Sequence, residues 1–152
     1  MITQIQGKLV EKNPTQVVVD CNGIGYEINI SLFTFSSLSS DENIKLFTHL
    51  QVREDAHILY GFFTVLERAV FRLLISVSGI GSSTARTMLS SLTPAEIQHA
   101  IGTEDVATIQ GVKGIGLKTA QRLIIELKDK IKSLQGTEEI PVFKSNTIKE
   151  ET

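Results

Sequence analysis

Apolar and polar side chains alternate in short runs along residues 1–62. The runs Ile2–Glu11, Gln16–Asp20, Gly25–Ile30, Ile44–Val52 and Ala56–Phe62 are rich in Val, Ile, Thr, Phe and Tyr. Tyr26-Glu27-Ile28-Asn29-Ile30 alternates residue by residue, the period that lines one face of a strand with apolar groups. Asn13-Pro14 and Asn22-Gly23 stand between neighbouring runs as turn signals. Five short strands in about sixty residues predict a small closed barrel, of which the OB-fold is the commonest type.

After Phe63 the period becomes helical. Leu66, Ala69, Val70, Leu73, Leu74 and Val77 form one stripe over Val65–Val77, and Ser83–Ser91 reads as a short second helix. Thr93-Pro94-Ala95-Glu96 is a capping box with proline at the first helical position. A third helix is therefore expected from Pro94 to about Ile101, where Gly102 can end it. Thr103 can cap a short helix over Glu104–Ile109. Leu117–Leu134 is the longest helical run, closed by Gly136, and residues 137–152 lose the period and read as a flexible tail. The expected fold class is α+β in two domains: a five-stranded β-barrel over 1–63, an all-α domain over 64–136, then the tail 137–152.

The helical half contains a near-repeat. Residues 77–85 read Val-Ser-Gly-Ile-Gly-Ser-Ser-Thr-Ala and residues 112–120 read Val-Lys-Gly-Ile-Gly-Leu-Lys-Thr-Ala, at an offset of 35. Two units are too few for a solenoid, which needs three or more to bury a core. Each copy sets a Gly-Ile-Gly turn between an apolar helical segment and a second helix. Glycine serves where φ is positive or where a ligand must approach the backbone closely. The isoleucine (Ile80, Ile115) can plug the core. The first N–H groups of the following helix have no intrahelical partner, and the helix dipole is positive there, so each turn is a candidate phosphate seat. Gly79, Gly81, Ser83, Thr84 and Arg86 form the first candidate. Lys113, Gly114, Gly116, Lys118, Thr119 and Arg122 form the second, which should be the stronger because Lys118 adds a charge and Arg122 a planar fork. The plainer alternative is a tight helix–helix connection; the Thr-Ala sequel common to both copies favours the seat.

Charge sharpens this picture. The whole chain carries a net charge of −2. Residues 113–132 hold six Lys or Arg against Glu126 and Asp129, whereas residues 1–62 hold four against seven acidic groups. A basic segment inside an acidic protein favours local contact with phosphates over a general basic coat. No apolar run approaches a membrane span, the start lacks a secretory pattern, and one cysteine, Cys21, allows no internal disulfide, which fits a reducing cytoplasm.

Other chemistry is weaker. Gly111–Thr119 nearly matches the ATP-binding loop, but Leu117 intrudes before Lys118 and no buried strand precedes it, so neither nucleotide nor any other cofactor is expected. His49, His57 and His99 stand alone, without metal-ligand spacing. Phe33, Phe35, Phe47, Tyr60, Phe62 and Phe63 can be base-stacking platforms, yet their apolar settings favour packing. Glu126 and Asp129 are expected to pair with basic neighbours on their helix.

Gly-hydrophobic-Gly turns between short helices resemble helix-hairpin-helix motifs, which grip DNA backbone without reading sequence. Two of them behind a five-stranded barrel resemble the RuvA family of Holliday-junction-recognition subunits. The likeness also lies in Met1 through Lys8, Asn22 through Glu27, Phe47-Thr48-His49, Val52 through Ala56, Leu59 through Phe62, and Lys118 through Asp129. It covers about residues 1–136 in unbroken order. It implies an OB-fold barrel at the centre of a homotetramer, or of an octamer, with four-way junction DNA on one face. It implies a RuvB motor that supplies the ATPase, a RuvC resolvase as a further partner, and a role in recombination and repair, with no catalysis by this chain alone. It also gives Glu54 and Asp55 a role as an acidic pin at the crossover centre; without it they read as a solvated turn. The chain departs from the family in the neutral Ser82-Ser83, in Lys113 where proline is common, and in Leu117 where lysine is common. It stops at Thr152, within what looks like a linker to a third, motor-docking domain, so junction binding with poor motor activation is the expectation. The competing classes are a DNA glycosylase or nuclease anchored by its hairpins, and a single-strand-binding barrel.

Overall fold

The computed structural model describes residues 1–38 and 43–142. Strands β1 (Gln4–Asn13), β2 (Gln16–Cys21), β3 (Ile24–Asn29), β4 (Asn43–Val52) and β5 (His57–Phe62) close into a barrel in the order β1-β2-β3-β5-β4. β1 pairs with both β2 and β4, and a bulge between Leu9 and Glu11 gives this long strand the extra twist that closure requires. β3 meets β5 in parallel at Asn29 and Tyr60. The alternation in the sequence turns Val17, Val19, Ile28, Ile30 and Leu46 into a nearly fully buried barrel core. Both expected turns form. Asn13 Oδ1 accepts from Thr15 N–H at 3.0 Å, and Asn22 and Gly23 both take positive φ, as a tight hairpin needs.

A short helix, α1 (Leu32–Ser37), lies between β3 and β4 and has no counterpart in the sequence reading. Its six residues are too few to show a helical period. The available signal is Ser31, whose side chain accepts from Thr34 N–H and caps the helix.

Among the described residues five helices follow: α2 (Val65–Ile75), α3 (Ser82–Ser91), α4 (Pro94–Gly102), α5 (Val106–Gln110) and α6 (Leu117–Val142). The capping box at Thr93 and Glu96 forms as read, with bonds of 2.8 and 3.1 Å. α2 ends at Ile75 rather than Val77 and α3 begins at Ser82 rather than Ser83, and two further boundaries differ for a visible reason. α5 is capped by Asp105, which accepts from Thr108 N–H, rather than by Thr103. The chain reverses at Glu104, which takes the left-handed conformation (φ 57) and forms an ion pair with Lys128 of α6. α6 also runs through Gly136 to Val142, since a glycine inside a helix costs about 1 kcal/mol and does not by itself end it. Residues 143–152 of the expected tail lie outside the described residues.

The helical core joins Phe71, Leu74, Met88, Ile101, Ile109, Leu123 and Leu127 to Tyr60 and Phe62 of β5. The Phe71 ring stands 4.9 Å from Phe62 and 5.1 Å from Tyr60, so these two aromatics pack rather than face solvent. Polar side chains of α2 complete the seam. Arg68 donates to Thr3 O at 2.7 Å, and Arg72 donates to His49 Nδ1 at 3.2 Å. Burial, with Arg72 and Arg68 close by, holds the His49 imidazole below its ordinary pKa, so it is neutral and free to accept.

Glu67, in the first turn of α2, is the one carboxylate buried in this seam among the described residues. It accepts from Ser31 Oγ, Thr34 Oγ1 and Phe63 N–H, and so ties α1, the end of β5 and the start of α2 together. Burial pushes its pKa up, against the pull of those three donors. A group whose pKa is raised on folding stabilises the fold fully below its ordinary value of 4.5 and loses that contribution as pH rises through the raised value. Glu67→Gln, which cannot ionise, should therefore gain on the native chain between pH 4.5 and pH 7.5 in denaturant titrations; drift the other way would contradict a raised value. Glu67→Ala strands three donors and should cost about 3 kcal/mol or more, measured the same way.

Candidate nucleic-acid interface

The two Gly-Ile-Gly segments fold into hairpins with the same backbone hydrogen bonds. Ile80 N–H bonds Val77 O at 3.1 Å, and Ile115 N–H bonds Val112 O at 3.2 Å. Ala85 N–H bonds Gly81 O at 2.9 Å, and Ala120 N–H bonds Gly116 O at 3.0 Å. Gly79 takes φ 95 and Gly114 takes φ 91, a conformation that costs an L-residue about 1–2 kcal/mol. Ile80 and Ile115 are buried, as are Ala85 and Ala120 one turn on, so each hairpin is anchored by its apolar residues and presents its glycines outward.

The helix starts set these two elements apart. α1, α2, α4 and α5 each cap their own N–H groups with a side chain, from Ser31, Thr64, Thr93 and Asp105. α3 has Gly81 at that position and no side-chain cap. Gly116 takes the same place before α6, where it accepts from Ala120. The N–H groups of Ser82, Ser83 and Thr84, and of Leu117, Lys118 and Thr119, have no acceptor among the described residues. A Cβ built on Gly81 or Gly116 would meet nothing within 4 Å, so no packing inside the chain demands glycine at either place. What the glycines provide is a bare, uncapped amide face, open to an outside acceptor.

The predicted side chains distribute unevenly around these faces. Lys113, Lys118 and Arg122 are exposed, and Arg122 has only a loose pairing with Glu126 at 4.0 Å. Ser83 is exposed, and Thr84 and Thr119 are half-buried. Arg86 departs from the expectation. Its guanidinium donates to Thr15 O at 3.3 Å and Asn29 Oδ1 at 3.4 Å, so it fastens α3 to the barrel instead of standing free at the helix start. Lys128 is taken up by Glu104. Glu54 and Asp55 sit, exposed, at the tip of the β4–β5 hairpin, where Arg53 N–H bonds Ala56 O at 2.8 Å. Sequence reasoning passed over a contact beside the first face: Ser82, read there only as a neutral position of the repeat, is a buried side chain at the start of α3, and its partner Gln51 of β4 belongs to no motif, so only the fold brings the two together.

Glycines with different jobs should respond differently. Gly79→Ala and Gly114→Ala, at positive φ, should each lower stability by about 1–2 kcal/mol. Gly81→Ser and Gly116→Ser should leave stability unchanged or raise it by a few tenths of a kcal/mol, because serine caps the helix it precedes. Thermal melts of the four variants check this ordering; equal losses at all four would mean that Gly81 and Gly116 are needed for the fold.

Two family descriptions match the chain: "RuvA N terminal domain" over residues 1–61 and "SAM-like Helix-hairpin-helix tandem" over residues 71–129. Among curated relatives, the Holliday junction branch migration complex subunit RuvA of Christiangramia forsetii is 62% identical over 151 residues, 99% of this chain and 78% of the relative. The protein of the same name from Flavobacterium psychrophilum is 58% identical with the same coverage. That of Bacteroides thetaiotaomicron is 53% identical over 137 residues, 90% of this chain and 68% of the relative. Among the described residues, no helix is long and apolar enough to cross a membrane. The barrel, the tandem hairpins with open amide faces and identity at this level across nearly the whole chain have one reading: this chain belongs to the RuvA family.

Proposed function

We infer that this chain is the junction-binding, non-catalytic subunit of a branch-migration complex. It holds four-way DNA, while ATP hydrolysis belongs to a RuvB partner. The observation that carries this reading is the pair of matching amide faces. Phosphate is the ligand that a bare helix start selects, through unpaired N–H donors and the positive helix end. Two seats related by an internal repeat suit two phosphates along one backbone, and contacts to phosphate carry no sequence information. That is what a protein that must follow a moving crossover needs.

The residues assigned to this task are Gly79, Gly81, Ser83 and Thr84 in the first hairpin, and Lys113, Gly114, Gly116, Lys118, Thr119 and Arg122 in the second. Arg86 supports the first hairpin from behind. Glu54 and Asp55 are assigned to an acidic pin. In a homotetramer with the barrels (residues 1–63) at the centre and the helical domains (64–136) outside, four such tips would crowd the crossover. Their carboxylates would repel phosphates and hold the arms apart. A RuvC resolvase is proposed as a further partner on the same DNA.

Gel shifts with a four-way junction, a plain duplex and single strands of equal length test the reading. The junction should bind tightest, with steep salt dependence. A preference for single strands would favour the barrel as the binding face, and cleavage of the junction in magnesium would favour a nuclease. Lys118→Ala should weaken binding to every DNA sequence alike and lower the salt slope by about one. Gly116→Ser fills the amide face with its own hydroxyl and should weaken junction binding without loss of fold. Glu54→Gln with Asp55→Asn should tighten binding to plain duplex; unchanged duplex affinity would remove the pin.

A further inference from the structure

The two hairpins, so alike in backbone, differ in one side chain at the same place. Ser82, the first residue of α3, is 3% exposed, and its Oγ donates to Gln51 Oε1 at 2.9 Å. Its counterpart at the start of α6, Leu117, is 49% exposed. Gln51 stands on β4 opposite Ile58 of β5, and Val52 faces His57 in the next pair. Beyond that pair lies the tip with Glu54 and Asp55. Gln51 is thus three residues from Glu54, at most about 10 Å of extended chain. The N–H of Ser82 is itself one of the open amides of the first face. A single side-chain hydrogen bond joins a seat residue to the stem of the acidic hairpin.

We propose that Gln51 is a positioning residue for junction binding, whose bond to Ser82 fixes the first hairpin's amide face relative to the acidic tip. The proposal rests on the junction-binding reading. Both ends of the bond are stiff: Gln51 belongs to a paired strand of a closed barrel, and the α3 start is anchored by buried Ile80 and Ala85. Arg86 holds α3 to the barrel at Thr15 and Asn29, one turn further on. Among the described residues, no other hydrogen bond joins the first turn of α3 to β4. Without it the angle of that turn to β4 is set only by its apolar anchors and the Arg86 contact. Among the described residues no hydrogen bond joins the first turn of α6 to the barrel, and the ion pairs of Arg122 and Lys128 run to Glu126 and Glu104, within the helical domain. The two seats therefore divide the work: the first is aligned with the pin, and the second, with Lys113 and Lys118, supplies charge.

The test uses the full chain and a four-way junction labelled with a donor and an acceptor on neighbouring arms, beside a duplex of the same length. Gln51→Met keeps the side chain's size and removes the acceptor. Its unfolding midpoint should stay within about 4 °C of the native chain. Its duplex affinity should stay within about twofold, while junction affinity falls about threefold to tenfold. The arm-to-arm transfer in the complex should move away from the native value, which a loss confined to stability would not produce. Ser82→Ala should also weaken junction binding, and the double variant should be no weaker than the poorer single one, because both remove the same bond. An unchanged junction-to-duplex ratio with unchanged transfer overturns the proposal, as do losses that simply add in the double variant. If the native chain binds junction no better than duplex, the junction-binding reading itself fails, and that is seen before any variant is compared.

Discussion

A helix start must place three or four N–H groups somewhere, and this molecule answers that demand in two ways. Four of its helices spend a side chain on it: Ser31, Thr64, Thr93 and Asp105 each turn back to cap the first turn. α3 and α6 do not, because glycine stands where the cap would be. The remainder of the helical domain keeps those two bare turns fixed and facing out. Ile80 and Ile115 are driven into the core by ordinary apolar burial. Gly79 and Gly114 supply the reversed backbone that lets the chain double back over them. The same hydrogen bonds recur in both copies to within about a tenth of an ångström, so the two faces are the same device built twice.

An amide face proposed to hold junction DNA is useful only if it is held in register with the rest of the molecule. Here the barrel and the helices share one apolar cluster through Tyr60, Phe62 and Phe71, which sets distance but resists rotation poorly. Direction comes from polar contacts along the seam. Glu67 gathers Ser31, Thr34 and Phe63; Arg68, Arg72 and Arg86 each reach a carbonyl or ring nitrogen on the barrel. Hydrogen bonds demand alignment where apolar contact does not. A buried carboxylate is costly to desolvate, and its value at this place is that, from α2, it accepts from both α1 and the end of β5 at once.

The barrel, the helical half, the capping box at Thr93, the Asn22-Gly23 turn and both hairpins were legible because each is governed by short-range rules: a period, a cap, or a positive φ. The outward glycines and the buried isoleucines were legible for the same reason. What escaped depended on the tertiary fold. α1 is a single capped turn and a half, too short for a period to show. Glu67 looks like any acidic residue in the first turn of a helix until α1 folds over it. Arg86 occupies a place after its turn that suggests a free cation, and only the position of the barrel turns it into a tether. Gly136 looked like a stop, but a glycine ends a helix only where the chain has reason to turn. The Ser82–Gln51 bond spans 31 residues and no local pattern announces it.

Amide hydrogen exchange of residues 82–84 and 117–119, with and without a saturating four-way junction, tests the central claim most directly. These N–H groups have no acceptor among the described residues, so they should exchange fast in the free protein and become protected together when the DNA binds. Slow exchange before DNA is added, or protection confined to the barrel strands when it is, would contradict the account.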